Sequence, residues 1–309
     1  MPSNRPSSSG DTPKKKPSNA AKKKSSSQRF NERQAAKQRA AQEARRARTR
    51  TYSIFAIALV VVIVAVLVIV KVAGGGSGSG VVDQASPPAG TPIPAATLAK
   101  LQSVPVSTLA AAPTDGIVTT PQSVNDPALT EDGKAELLYI GAEFCPHCAA
   151  QRWPLYIALS KFGTFDPEPG SIHSANEEGD VPTLTFYGTK YTSPYLTFTP
   201  VEVDTNKPQG NGYAPLQTPT QAQLTLWADT NGGSFPFVDF GGKKVLPSAQ
   251  YLFTPLQNLS FSDVAAQVGN NSTQIGADID ASAAQLISTI CGSLSHDQPA
   301  AVCSAVHGG

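Results

Sequence analysis

In 309 residues the chain has one methionine (Met1), four cysteines, four histidines and a net charge of only +1. Four cysteines are too few for a disulfide-dense scaffold and suit one or two specific pairs. A structural zinc site built from two close Cys/His pairs lacks its second pair, because Cys291 and Cys303 stand twelve residues apart and far from Cys145 and Cys148. His173, His296 and His307 are isolated in sequence and read as solvated. No metal and no cofactor are expected beyond what the cysteines themselves supply. The near-absence of methionine suits an oxidising exterior. Proline and glycine are not scarce: 26 and 25 residues respectively argue against a mostly helical protein. There is no internal repeat.

The missing net charge is a cancellation. Residues 1–50 hold 15 of the 24 basic residues and 3 of the 23 acidic ones, a net of +12. Residues 51–309 hold the other 9 basic and 20 acidic residues, a net of −11. Such asymmetry marks a boundary between compartments or partners.

Ile54–Val70 supplies the boundary, as seventeen apolar residues without a break between Arg50 and Lys71. A bilayer core needs ~20 predominantly apolar helical residues, ~17 at the lower end. A transmembrane helix is therefore expected over 52–72, its β-branched content overridden by lipid burial. A buried core helix is the bland alternative. A cleaved signal peptide is the other, but its apolar core is usually ~7–15 residues behind a short basic region. The basic bias keeps the N-terminus cytoplasmic, which predicts a single-pass, uncleaved anchor in the cell membrane with an extracytoplasmic C-terminal domain. Within the arm, residues 2–27 are Ser/Pro/Lys-rich and expected to be disordered, whereas 28–50 combine good helix formers. The arm is expected on anionic lipid head groups. Nucleic acid is not expected, since the arm has one aromatic residue and no recognisable motif.

Residues 73–94 read as a Gly/Ser/Pro linker, flexible through Gly74–Gly80 and stiffer beyond. The outer domain should span 95–305, starting with a short helix and turn over Ala95–Leu109 around Pro105.

Its chemistry concentrates at one junction. Leu137–Gly141 is a short apolar run, as expected of a strand buried on both faces. AEFCPHC follows at once, and then apolar residues at helical spacing: Trp153, Tyr156, Ile157, Leu159 and Phe162. With Cys145 at a helix start and Cys148 three residues on, the two sulfurs come within disulfide reach. The unpaired N–H groups and positive dipole end stabilise a thiolate on Cys145. Pro146 removes an N–H that the first turn would leave orphaned. His147, protonated or donating, would add to thiolate stability. A lower thiol pKa favours the reduced dithiol and makes the disulfide more oxidising. A c-type haem would need His directly after the second cysteine, where Ala149 stands. A purely structural disulfide stays open as an alternative.

Leu138–Cys148 (LYIGAEFCPHC) resembles the thioredoxin superfamily, and Cys-Pro-His-Cys resembles the centre of periplasmic Dsb-type thiol oxidants. YIGAEFCPHCAAQRW, ALSKFGTF and YTSPYLTFTPVE (Tyr191–Glu202) together resemble a prokaryotic membrane-anchored family, the domain of unknown function 929, across roughly 95–305. The resemblance implies an α/β thioredoxin-like fold, a central mixed sheet with flanking helices and a strand-rich insertion at about 171–216. It also implies a cis-proline loop facing the cysteines, for which Phe235–Pro236 fits. There the Phe235 backbone would position an extended client, while a trans proline at a strand start is the alternative. From Pro236, an apolar strand should turn through Gly241–Gly242 into a second, antiparallel one. One departure stands out: where thioredoxins carry a buried acid on the strand before the motif, this chain has Tyr139. Glu143 is expected on the exposed approach, solvated.

Strands are further expected at Thr183–Tyr187 and Tyr195–Val203, and helices at Thr220–Ala228, Ser262–Val268 and Asp278–Cys291. Cys291 and Cys303 should form a structural bridge outside the membrane; a second redox pair passing electrons to Cys145–Cys148 is the sharper alternative. The expected function is a membrane-tethered extracytoplasmic thiol–disulfide oxidoreductase, more oxidant than reductant, acting on client proteins with cysteines. Cys145 would exchange, Cys148 resolve, His147 tune and Phe235–Pro236 position, and a membrane redox partner would recycle the pair. The alternative is a non-catalytic binding module of the cell envelope that uses the Pro236 face or the 171–216 insertion.

Overall fold

The computed structural model describes residues 90–293 and 299–307. The basic arm, the apolar run Ile54–Val70, nearly all of the linker, His296 and the side chain of His307 lie outside the described residues. No helix among those described is long and apolar enough to cross a membrane.

Two short helices open the domain, α1 (Ala95–Ser103) and α2 (Val106–Ala110), on either side of Pro105, where one short helix and a turn were expected. They bury Leu98, Leu101 and Leu109. Strands β1 (Gln122–Ser123) and β2 (Thr130–Glu131) lead through an Asp132–Gly133 turn into β3 (Lys134–Gly141), which runs into helix α3 (Pro146–Leu159). The middle of the chain holds β4 (Thr164–Phe165), β5 (Ser171–His173), β6 (Pro182–Leu184), β7 (Tyr191–Thr192), β8 (Leu196–Glu202), β9 (Asp204–Gln209) and β10 (Gly212–Pro215). Helix α4 (Gln221–Asn231), strands β11 (Phe237–Phe240) and β12 (Lys244–Leu246), and helices α5 (Phe261–Gln267), α6 (Gln274–Ser293) and α7 (Ala300–His307) complete it.

The result is a mixed α/β domain around one mixed sheet. β3 is its centre, paired parallel with β8 on one edge and antiparallel with β11 on the other; β12 and β1 continue beyond β11. Side chains alternate across β3 as the strand period demands. Leu137 and Tyr139 enter the larger core with α3 and α6, while Leu138 and Ile140 join Val201, Phe237 and Val245 on the opposite face, where Leu226 and Trp227 of α4 cover them. Each fully buried Leu, Ile or Phe contributes about 1.5–3 kcal/mol by leaving water. Both faces are thus closed, as the apolar run in β3 predicted.

Two expectations about the middle segment change. β8 was read as part of an insertion, but it pairs with β3 over seven successive residues, Ala135↔Leu196 to Gly141↔Glu202, and belongs to the central sheet. Its apolar residues Leu196, Phe198 and Val201 face covered layers on either side, the pattern of a sheet strand. The run at Thr183–Tyr187 is strand only to Leu184; thereafter Thr185 Oγ1 accepts the Tyr187 N–H, which ends the ladder in a turn. The additions to the sheet are three two-stranded pairs, β4–β7, β5–β6 and β9–β10.

Helix α4 begins at a capping box, in which Thr220 and Gln223 bond each other's backbone N–H groups. It ends on Gly232 at φ 68°, a left-handed conformation that costs glycine little. Helix α3 contains Pro154, which cannot bond the Ala150 carbonyl one turn back. Tyr251 Oη donates to that carbonyl at 2.7 Å instead. Cys291 at the end of α6 and Cys303 in α7 form a disulfide, Cα–Cα 5.7 Å, so the structural bridge read from the sequence is present.

Candidate active site

Cys145 lies at the junction where β3 hands over to α3. It is the helix N-cap, with extended backbone (φ −77°, ψ 121°), and its sulfur accepts the Cys148 N–H at 3.4 Å. Pro146 follows at the first helical position, as expected. The Cys145 N–H donates to Ala142 O at 3.2 Å, closing the turn, and Cys145 O accepts the Ala149 N–H at 3.0 Å as the first helical bond. Cys145 is 7 % exposed and Cys148 0 %, and both are free thiols.

The two thiols are driven apart. The Cys148 thiol, donating to Cys145 Sγ, holds Cys145 below the ordinary thiol value; burial opposes this, and the backbone N–H groups of Cys148 and His147 and the charge of Arg152 reinforce it. Burial pushes the Cys148 thiol well up, and its shared proton with Cys145 adds to the rise. Cys145 is thus the sulfur favoured as thiolate, and the fully buried Cys148 the one favoured as the protonated thiol. The His147 ring plays a different part from the one expected. It packs edge-on against Phe253, centroids 4.8 Å apart, and burial holds it toward its neutral form, so its help to the thiolate comes through the backbone.

The Phe235–Pro236 bond is cis. Because Phe237 pairs with Ile140, the proline lies beside the end of β3, and Phe235 packs on the cluster formed by Ala142, Cys145 and Cys148. Phe144 stands T-shaped to Phe235 at 6.2 Å and stacks on Tyr213 of β10 at 4.1 Å; Trp227 leans on Phe235 at 4.9 Å. An aromatic rim therefore borders the exposed side of Cys145. Sequence reading named Phe235 alone, since Tyr213 and Trp227 are brought in from 68 and 82 residues away.

Glu143 is not solvated. It is 7 % exposed, its Oε1 accepts Thr185 Oγ1 at 2.7 Å, and its N–H donates to Asp204 O. The turn after β6 covers it, and burial raises its pKa. A cleft of about 940 Å³ opens alongside, lined by Glu143, His173, Asp180, Thr205, Asn206 and Lys207 among others. His173 is not isolated either: its Nδ1 lies 2.9 Å from Asp180 Oδ1, both side chains part-exposed.

Beneath the cysteines sits a group that sequence reading passed over. Arg152, four residues after Cys148, is fully buried and forms a two-armed ion pair with Glu202 at the end of β8, Nε–Oε1 2.8 Å and Nη2–Oε2 2.7 Å. Nη2 also donates to Ala142 O at 2.8 Å, while Nη1 is buried without a hydrogen-bond partner. Burial opposes the charge on Arg152, but Glu202 holds its pKa well up. Tyr139 occupies the place of the expected acid, with its hydroxyl buried and unpartnered and its pKa raised by burial. That hydroxyl lies under Gly141, where any Cβ would collide with it. The arginine guanidinium carbon lies 6.0 Å from the Tyr139 ring centre. A signal was available: Arg152 is the sole arginine in residues 51–309. No three His, Cys, Asp or Glu side chains among the described residues gather as a metal site.

The family model described as Domain of unknown function (DUF929) matches residues 120–213 of the chain. That span includes the cysteine pair, Tyr139, Arg152 and Glu202, and stops short of Pro236; it is narrower than the 95–305 expected. No curated protein and no solved structure matches the chain.

Proposed function

We propose that this DUF929 domain is a thiol–disulfide oxidoreductase of thioredoxin-like fold, tethered to the cell membrane by the apolar run Ile54–Val70 and acting outside it. The fold reading is supported by a mixed sheet with flanking helices, cysteines at a strand–helix junction and a cis-proline loop against them. The observation that carries the activity is Cys145 as an N-cap whose sulfur accepts from Cys148, one thiol lowered and the other raised. Thiol exchange needs this asymmetry: the more acidic thiol, Cys145, exchanges with the client, and Cys148 resolves the mixed disulfide. A stabilised thiolate favours the reduced form, so the pair acts as an oxidant of client cysteines. The Phe235–Pro236 loop, packed against the cysteines, offers its backbone to an extended client strand. A membrane redox partner recycles the pair, and the +12 arm rests on anionic lipid on the cytoplasmic side.

The test is to mix the oxidised full chain with a reduced two-cysteine peptide. Peptide oxidation matched mole for mole by reduction of Cys145–Cys148 is expected. No transfer, together with an ordinary thiol pKa for Cys145, would sink the proposal. A binding module is the second reading, favoured by the cleft beside Glu143. Full function in a Cys145→Ser, Cys148→Ser variant would select it.

A further inference from the structure

Burying a paired charge gains little or no stability over apolar side chains of the same volume. The outer half nevertheless places its sole arginine at zero exposure, one helical turn after the buried cysteine. Residues i and i+4 share a helix face, and side chains lean toward the helix N-terminus, which points Arg152 back toward Cys148. Its position is fixed at both ends. Glu202 grips Nε and Nη2, and Nη2 also reaches the Ala142 carbonyl that closes the turn onto the Cys145 N–H. Ala142 packs directly on both cysteines. Nη1 is left over, a buried donor with no partner among the described residues.

We propose that Arg152, oriented by Glu202, is a positioning residue whose charge stabilises thiolate on the pair, on Cys148 as it leaves and on Cys145 once reduced, and so sets how strongly the pair oxidises. This rests on the oxidoreductase reading above. In the oxidising step a client thiolate attacks Cys145 Sγ. The Cys145–Cys148 bond breaks, and its electron pair departs on Cys148 Sγ. A second client thiolate then attacks the client sulfur of the mixed disulfide, and that bond's electron pair returns to Cys145 Sγ. The client loses two electrons and two protons; the pair gains both electrons, Cys148 takes up one proton, and the other goes to Cys145 or to solvent. The leaving sulfur is the fully buried one, where a bare thiolate is most costly and a neighbouring cation counts most. Arg152 draws both thiols down, consistent with the positive end of the ion pair facing the sulfurs.

The experiment is the equilibrium of the full chain with the glutathione couple, read by trapping free thiols, alongside thermal unfolding of the oxidised and reduced forms. Arg152→Met should shift the equilibrium at least tenfold toward the disulfide, about 30 mV more reducing. Arg152→Lys should stay within about threefold of the native chain, because the charge remains. Glu202→Gln should shift it the opposite way, toward the dithiol, by leaving the cation uncompensated. If Arg152→Met fails to fold around a lone Glu202, the neutral pair Arg152→Met, Glu202→Gln replaces it, with the same direction expected. Equal loss of stability in both redox forms with an unchanged equilibrium would overturn the proposal, and so would a shift of the same sign for Arg152→Met and Glu202→Gln. The glutathione equilibrium needs no client, so it decides the role of Arg152 even where peptide oxidation fails and the reading above falls.

Discussion

The molecule holds two cysteine pairs that burial alone does not distinguish. Cys145, Cys148, Cys291 and Cys303 are all less than a tenth exposed. What separates them is what each sulfur is attached to. Cys291 and Cys303 tie the end of one helix to another and bond each other. Cys145 and Cys148 sit within a single helical turn at its positive end, with backbone donors on one sulfur and a buried guanidinium nearby. A disulfide across twelve residues limits the unfolded chain more than one across three, because the restriction grows with the loop closed. The proposed reactivity therefore rests on backbone donors and charge.

The largest effect should come from Cys145→Ser, which removes the sulfur proposed to exchange. Oxidation of a two-cysteine peptide should drop at least a hundredfold, and Cys148→Ser should instead accumulate a mixed disulfide visible after acid quenching. Next is Cys291→Ser with Cys303→Ser. Releasing the eleven enclosed residues should cost about 2–3 kcal/mol in chemical denaturation, with peptide oxidation unchanged within twofold. A large loss of oxidation there would make the second pair part of the electron path and erase the contrast. The pH profile of iodoacetamide labelling gives a smaller difference. Cys145 should reach half-maximal rate below the ~8.5 of an ordinary thiol, while Cys148 stays unreactive there because burial keeps its proton on. Coincident profiles would break the asymmetry on which exchange depends. The smallest effect belongs to the structural side. Asp280 on α6 caps the Gly269 N–H, and burial pushes its pKa up to about 7. Its folded pKa is raised, so the unfolded chain loses the proton first as pH rises. Its contribution should be fully present below about pH 4 and disappear on the way to about pH 7. In Asp280→Asn the fall in Tm over that window should flatten, with no change in Cys145 labelling.

Legibility in sequence tracked how local each interaction is. The β3–α3 junction was readable because apolar run, turn, proline and cysteines lie in twelve consecutive residues, Leu137–Cys148. The Phe235–Pro236 loop and its hairpin were readable for the same reason, with Gly241 and Gly242 at φ 67° and 72° marking the turn. Glu143 was misplaced because the residue that covers it, Thr185, comes 42 positions later from a turn with no motif. β8 was assigned to an insertion because a strand's partner is not written in the strand; only its pairing to β3 shows where it belongs. Arg152 was hidden in a helix that reads as an apolar face, its counter-charge fifty residues away. Pairing of opposite charges across elements has no period, and composition alone could only have flagged a lone arginine.

The proline inside α3 carries a consequence for how the active turn could be moved or copied. The Ala150 carbonyl that Pro154 leaves open is closed by Tyr251, about a hundred residues downstream, and the neighbouring Ala149 carbonyl by Thr183. The helix bearing the cysteines is thus stitched to the rest of the domain at the two backbone sites just behind Cys148. Transplanting the fourteen residues of α3 into another scaffold would carry the sulfurs but not those stitches. The dithiol is a property of the whole domain: Tyr251→Phe, an oxygen removed far along the chain, should loosen the turn that holds it.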